Sequence, residues 1–267
     1  MENSACTGMC SNTKGEIFRN ILSDNKKMTR DIESAAVHGI KWLLKLQNWD
    51  GGMPTFCQGW GMLPFDQSST DITAHAIRAF QAWRKNRGHT PPGFPDEALK
   101  QKMLRAEERM FAFLERTQQK NGSWHPLWFG NQSMPNGANP YYGTAKVLLA
   151  LAETKREDAM TYNGLRYLIA SQNTDGGWGR DPSGASSSVE ETAVVVEALS
   201  FFAERAEVAA AYHRGLDWLL EAVESDRFLQ PSPIGLYFAN LWYYEDLYPI
   251  LFTASALRRA LNYSCTG

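Results

Sequence analysis

The sequence predicts an all-α chain built as an α/α toroid, a curved double layer of about four helical hairpins, and three observations lead there. The first is a unit that recurs four times, clearest at Leu165, Leu168, Ile169, Gln172, Asp175, Gly176, Gly177 and Trp178: an apolar helix face, a polar helix end, a glycine turn, then an aromatic. The second is an alternation of helix types. One is amphipathic, as around Ile40, Leu43 and Leu44, and the other is apolar nearly all round, as around Ala145, Val147, Leu148, Leu149 and Leu151. The third is a Thr-Ala pair announcing each second helix: Thr73-Ala74, Thr144-Ala145, Thr192-Ala193 and Thr253-Ala254. Units of this size cannot bury an apolar face alone and must stack on one another.

In chain order, residues 1–32 are polar and charged, with one amphipathic patch at Ile17, Phe18, Ile21 and Leu22. They read as a flexible lead-in with one short helix, and the toroid domain is expected over 33–267. The first helices align on Trp42, Phe113, Tyr167 and Trp218, with Gly39, Met110, Gly164 and Gly215 three residues earlier. Five residues after the anchors stand Gln47, Gln118, Gln172 and, in a fourth copy that has lost its glutamine, Val223. The turns follow as Asp50-Gly51-Gly52, Asn121-Gly122-Ser123-Trp124 and Asp175-Gly176-Gly177-Trp178, with only Ser225-Asp226 in the last copy. Glycine supplies the positive φ that ends a helix. The glutamine amide is expected to bond backbone groups left free at the start of a neighbouring helix and to offer its face to the indole. From glutamine position to threonine the gaps are 26, 26, 20 and 30 residues, so the loop before the second helix varies.

Composition narrows the function. A net charge of -2 leaves no excess of cations for a phosphate backbone, so nucleic acid is not an expected partner. Aromatics at 12%, with nine Trp, ask for interlocking repeats or an aromatic-lined cavity. The N-terminal residues 1–13 lack the apolar core of a signal peptide, and no run approaches the roughly 18 apolar residues needed to cross a bilayer. A cytoplasmic protein is expected. Cys6, Cys10, Cys57 and Cys265 read as ordinary thiols, and neither metal nor cofactor is expected. No phosphate loop, Ser-His-Asp pattern or His-Glu-x-x-His motif occurs.

Beyond the repeat, the chain resembles the squalene-hopene and oxidosqualene cyclases from about Ala35 onward. Ser69-Thr-Asp71-Ile-Thr-Ala-His75 is similar to that family's Glu-Asp-Val-Thr-Ala-His segment. Asn121-Gly-Ser-Trp124, Trp128 and Tyr142-Gly-Thr-Ala145 are similar to its Gly-Ser-Trp, Trp and Tyr-Gly-Thr run, and Gly235-Leu-Tyr237 to Tyr248-Pro249 to its aromatic C-terminal segment. The resemblance implies about the last four hairpins of the catalytic barrel, a terpenoid cyclase or protein prenyltransferase type of toroid, and an isoprenoid substrate cyclised through carbocations by an isomerase. It also implies peripheral contact with a membrane, centred on Pro231 to Tyr248.

By the same resemblance Asp71 and His75 support the catalytic acid, and Trp128, Tyr142, Tyr237 and Tyr244 line the substrate cavity. Gln47, Gln118, Trp124, Gln172, Gly177 and Trp178 are structural repeat residues. Leu241 stands where the family usually has another aromatic. The family's Asp-x-Asp-Asp acid motif does not occur. Val189-Glu190-Glu191-Thr192-Ala193-Val194 has its look with Glu for Asp, yet lies in the third repeat, and both it and Asp66 read as carboxylates at helix starts. A prenyltransferase-like zinc site would need an Asp, Cys and His trio, for which only Cys57, in a loop, is available within the repeats. Two readings stand: a cyclase that acts through an unorthodox acid or with a complementary chain, and a non-catalytic half-toroid that binds isoprenoids or another protein. Four hairpins close a ring poorly, so self-association or a complementary cyclase half should cover the inner face.

Overall fold

Described helices end beside Gln47, Gln118 and Gln172, as the sequence places them, and their packing follows the alternation of helix types. The computed structural model describes residues 31–58, 66–85, 97–184, 186–236 and 240–264, together with Met28 and Leu63. The amphipathic patch at 17–22, Cys6, Cys10, Cys265 and Tyr237 lie outside the described residues. Residues 31–46 form α1. Then follow α2 (Thr70–Lys85), α3 (Glu97–Thr117), α4 (Pro140–Glu153), α5 (Ala159–Ala170), α6 (Val189–Leu199), α7 (Ala206–Glu224) and α8 (Leu247–Ser264). The chain divides into two units, Met1–Lys45 and Leu46–Gly267.

Within the second unit α2, α4, α6 and α8 pack in succession as the inner layer, and α3, α5 and α7 back them. Burial explains the order. The side chains of α4 from Tyr141 to Leu151 and nearly all of α6 are buried, whereas α3 and α7 bury a stripe such as Met103, Met110 and Leu114 and expose the rest. Asn139 caps α4 by accepting from the Tyr142 N–H, with Pro140 in the first turn, and Ser188 caps α6 through the Glu191 N–H.

The glutamines do something different from the sequence expectation. Gln47, Gln118 and Gln172 each donate twice through Nε2, to the carbonyl of Gly51, Gly122 or Gly176 four residues on and to Ala106, Met160 or Ala211 of the next outer helix, at 2.7–3.0 Å. One acceptor of each pair is a carbonyl of the glycine turn and the other a carbonyl of the next outer helix, and none is an N–H group left free at a helix start. Gly122 and Gly176 hold φ near +94° and +98°, and a Cβ there would sit 2.3 and 3.0 Å from the carbonyl oxygens of Asn163 and Arg214. Glycine is needed both for the turn and for the close approach.

Behind each turn a large side chain is fully buried: Met53, Trp124 and Trp178. Trp124 and Trp178 donate their indole N–H to the carbonyls of Leu114 and Leu168 at 2.7 and 2.8 Å. In the fourth copy Thr253 is buried with its hydroxyl unpartnered, the mark of a repeat that has lost its turn.

The fold is not purely helical. Met53–Pro54 (β1) pairs with Ser68–Ser69 (β2), and Gly130–Asn131 (β3), Ile234–Leu236 (β4) and Leu241–Tyr243 (β5) form an antiparallel sheet in the order β3-β4-β5. The second sheet joins the loop before α4 to the loop before α8, over the N-terminal ends of the inner helices. No described helix is long and apolar enough to cross a membrane.

Candidate functional site

Three threonines fix the register of the inner wall. The Oγ1 of Thr73, Thr144 and Thr192 accepts the backbone N–H of Met53, Trp124 and Trp178, each at 2.9 Å. Two residues before each threonine come Asp71, Tyr142 and Glu190; two after, His75, Lys146 and Val194; five after, Arg78, Leu149 and Glu197. Residues spaced in this way share one helix face. Lys146 interacts electrostatically with Glu197, Arg78 and Asp71, which places α2, α4 and α6 on a common wall.

Asp71 is buried and accepts from Ser69 Oγ at 2.5 Å, while the same hydroxyl accepts the Leu127 N–H at 2.9 Å. Burial raises the pKa of its carboxyl, against the lowering effect of the Ser69 and Ile72 hydrogen bonds. His75 lies one turn on, but the Asp71 carboxylate is bonded to Ser69 and not to the imidazole. His75 is exposed at its edge. Desolvation by the protein around it, followed by the charges of Lys146 and Arg78, lowers its pKa to about 4. At neutral pH His75 is an uncharged hydrogen-bonding group.

The aromatic residues separate into groups. Tyr142 is buried and stacks on Phe129 with centroids 3.8 Å apart, and Phe252 and Tyr248 of α8 complete the cluster, stacked on each other at 5.4 Å. Trp128 stands apart, edge-on to Phe56 at 5.3 Å. Tyr244 is exposed in the segment between β5 and α8, and Leu241 is exposed as well. Of the described residues read as cavity lining, Tyr142 belongs to this cluster. Sequence reading named Tyr248 only as the end of the aromatic C-terminal segment and missed Phe129 and Phe252, because the three come together only when the loop before α4 meets α8. It also missed Lys146, although one lysine inside the apolar run Ala145 to Leu151 was a visible anomaly.

Glu190 and Glu191 occupy the start of α6, and both are buried. Glu190 accepts the Ser232 N–H at 2.6 Å, and Glu191 Oε1 accepts from Asn131 Nδ2 at 2.8 Å and Asn139 Nδ2 at 2.6 Å. Each has one oxygen without a partner. Burial, then the Glu190 charge, raises the Glu191 pKa to about 8 despite the two amides. The pair fastens β3 and the segment before β4 to the inner wall. Asp66, also buried, accepts the Leu63 N–H at 3.1 Å and so closes a turn. Cys57 is free and exposed.

The profile of the squalene-hopene cyclase C-terminal domain matches residues 16–260. The terpene cyclase-glycosyl transferase fusion protein fsoA of Humicola fuscoatra is 30% identical over 265 residues, covering 86% of this chain and 19% of its own length. Enfumafungin synthase efuA of Hormonema carpetanum is 28% identical over 231 residues, covering 77% of this chain and 16% of its own. The chain thus spans less than a fifth of the length of either relative. Among solved structures, the ent-copalyl diphosphate synthase of Streptomyces platensis superposes with a TM-score of 0.58 at 23% identity, covering 82% of this chain and 37% of that one. That likeness concerns the fold.

Proposed function

The chain belongs to the squalene-hopene cyclase C-terminal domain family, and on that premise we propose that it supplies part of the inner wall of a terpene cyclase acting on an isoprenoid. One observation supports the reading: α2, α4 and α8, with the loop before α4, bring Asp71, His75 and the cluster of Phe129, Tyr142, Tyr248 and Phe252 together around Lys146. Cyclisation of this kind needs an acid strong enough to protonate a double bond, then aromatic faces to hold the carbocation in a dry cavity. Asp71 and His75 are positioning residues for that acid. The neutral imidazole can accept a hydrogen bond from it without adding a positive charge beside the developing cation. The acid itself comes from a complementary segment or chain that meets the open wall.

The test is product analysis. Purified protein, alone and mixed with a separately produced cyclase segment carrying an Asp-x-Asp-Asp acid, is incubated with squalene and with farnesyl and geranylgeranyl diphosphates, and extracts are analysed by gas chromatography and mass spectrometry. Cyclised product in the mixed sample, lost in Asp71→Asn, is the expected result. Absence of product in every arm overturns the catalytic reading, and retained isoprenoid binding would then assign the half-toroid a carrier role.

A further inference from the structure

Lys146 is an unusual occupant of an inner wall. It is 6% exposed, and its ammonium has neither a hydrogen bond nor an ion pair among the described residues. It lies 5.2 Å from the ring centroid of Tyr142 and 4.9 Å from that of Phe252, two rings 6.3 Å apart. Phe129 backs the first ring and Tyr248 the second. A largely buried ammonium without such partners is stabilised only by the charges and ring faces around it. Those surroundings can be named from every element facing it. Asp71 on α2 and Glu197 on α6 are acidic; Arg78 on α2 is basic but held by Glu153 at 2.8 Å; His75 on α2 is neutral near pH 7. Two acids and two ring faces, against one engaged guanidinium, form a cage that offsets part of the cost of burying a cation there.

We propose that the Lys146 ammonium is the resident cation of an aromatic and carboxylate cage on the inner wall, so that a ligand carrying positive charge on apolar substituents gains the Tyr142 and Phe252 faces only when Lys146 is uncharged or replaced. Burial and the charge of Arg78 support this by lowering the lysine pKa to about 8, against Glu197 and Asp71, which raise it. Between pH 7 and pH 9 the uncharged fraction then rises about tenfold, and the apparent affinity for a cation follows that fraction. The consequence for cyclisation rests on the terpene cyclase reading, because a carbocation would compete with the lysine for the same two rings. The cage itself does not depend on turnover.

The experiment is a calorimetric titration with dodecyltrimethylammonium, whose charge is permanent, and with dodecanol as its neutral counterpart, at pH 7 and pH 9. The wild-type protein should bind the cation about tenfold more tightly at pH 9, with dodecanol unchanged. Lys146→Met should bind it at pH 7 about as tightly as the wild type does at pH 9, with no more pH dependence than Lys146→Arg shows. Lys146→Arg keeps the charge and should bind weakly at both. Glu191 also has a pKa near 8, and any rise surviving in Lys146→Arg is assigned to it. Wild-type affinity for the cation that does not change with pH, or a Lys146→Met protein no tighter than wild type at pH 7, overturns the proposal. A failure to form cyclised product leaves these titrations interpretable.

Discussion

At the residue scale, the buried titratable groups set how stability depends on pH. Glu191 has an ordinary pKa of 4.5 and a folded value of about 8. Between these values the folded state holds a proton that the unfolded chain has lost, so stability falls as pH rises from about 4.5 to about 8. Replacement by glutamine removes that loss while keeping an acceptor for Asn131 and Asn139. We expect Glu191→Gln to be more stable than wild type by ~1–3 kcal/mol at pH 8 and similar near pH 5, read from urea unfolding across that range. Parallel pH profiles for the two proteins would show that the carboxyl holds no such proton. His75 acts in the opposite direction: its folded pKa, about 4, lies below the ordinary 6.5, so its contribution is lost as pH falls from 6.5 toward 4. Its imidazole resonances should stay constant from pH 8 to pH 5 in an NMR titration, and a midpoint between 6 and 7 would contradict the desolvation described for it.

At the scale of the elements, the glycines of the outer helices are matched to the side chain lodged behind each turn. Gly164 faces Trp124 and Gly215 faces Trp178, where an added Cβ would lie 2.9 and 2.5 Å from the indole Cζ3. In the first repeat Met53 holds the tryptophan position, and Met110 on the following outer helix stands where the later ones have glycine; both are fully buried. Gly215→Ala should cost ~1–3 kcal/mol, because overpacking outweighs the gain in helix propensity, and Gly164→Ala somewhat less. Gly39, with nothing within 4 Å of its added Cβ, is the internal control. Gly39→Ala should be neutral or stabilising by roughly 0.5–1 kcal/mol. Chemical denaturation of the three variants checks the order, and equal effects at Gly39 and Gly215 would remove the packing argument.

At the scale of the molecule, β5 and the start of α8 expose a run of apolar side chains, Leu241, Tyr243, Tyr244, Leu247 and Leu251. On the proposed reading we expect a lipid surface to contact this patch, since isoprenoid substrates partition into lipid. The protein should float with liposomes in a density gradient, and Leu241→Asp combined with Leu247→Asp should release most of it while leaving the helical content intact. Flotation unaffected by the double change would place the contact elsewhere.

The sequence by itself determined the architecture, because a stacked repeat writes its rules locally: Gln118 and Gln172 at helix ends, Gly122 and Gly176 in turns, Trp124 and Trp178 behind them, and a threonine opening each inner helix. Each is specified by neighbours a few residues away. The candidate site was legible only where one helix carries it, as with Asp71 and His75, or where one residue belongs to the apolar helix it opens, as with Tyr142. The rest was decided by tertiary structure. Phe252 and Tyr248 reach Phe129 from more than a hundred residues further along the chain, the bond that Asp71 makes is to Ser69 rather than to His75, and Trp128 turns to Phe56. Lys146 acquires its chemical character only from the rings and carboxylates of three other elements. Helix ends follow from short-range hydrogen bonding and backbone geometry, whereas the charge and polarity of an inner wall depend on which helices face one another across it.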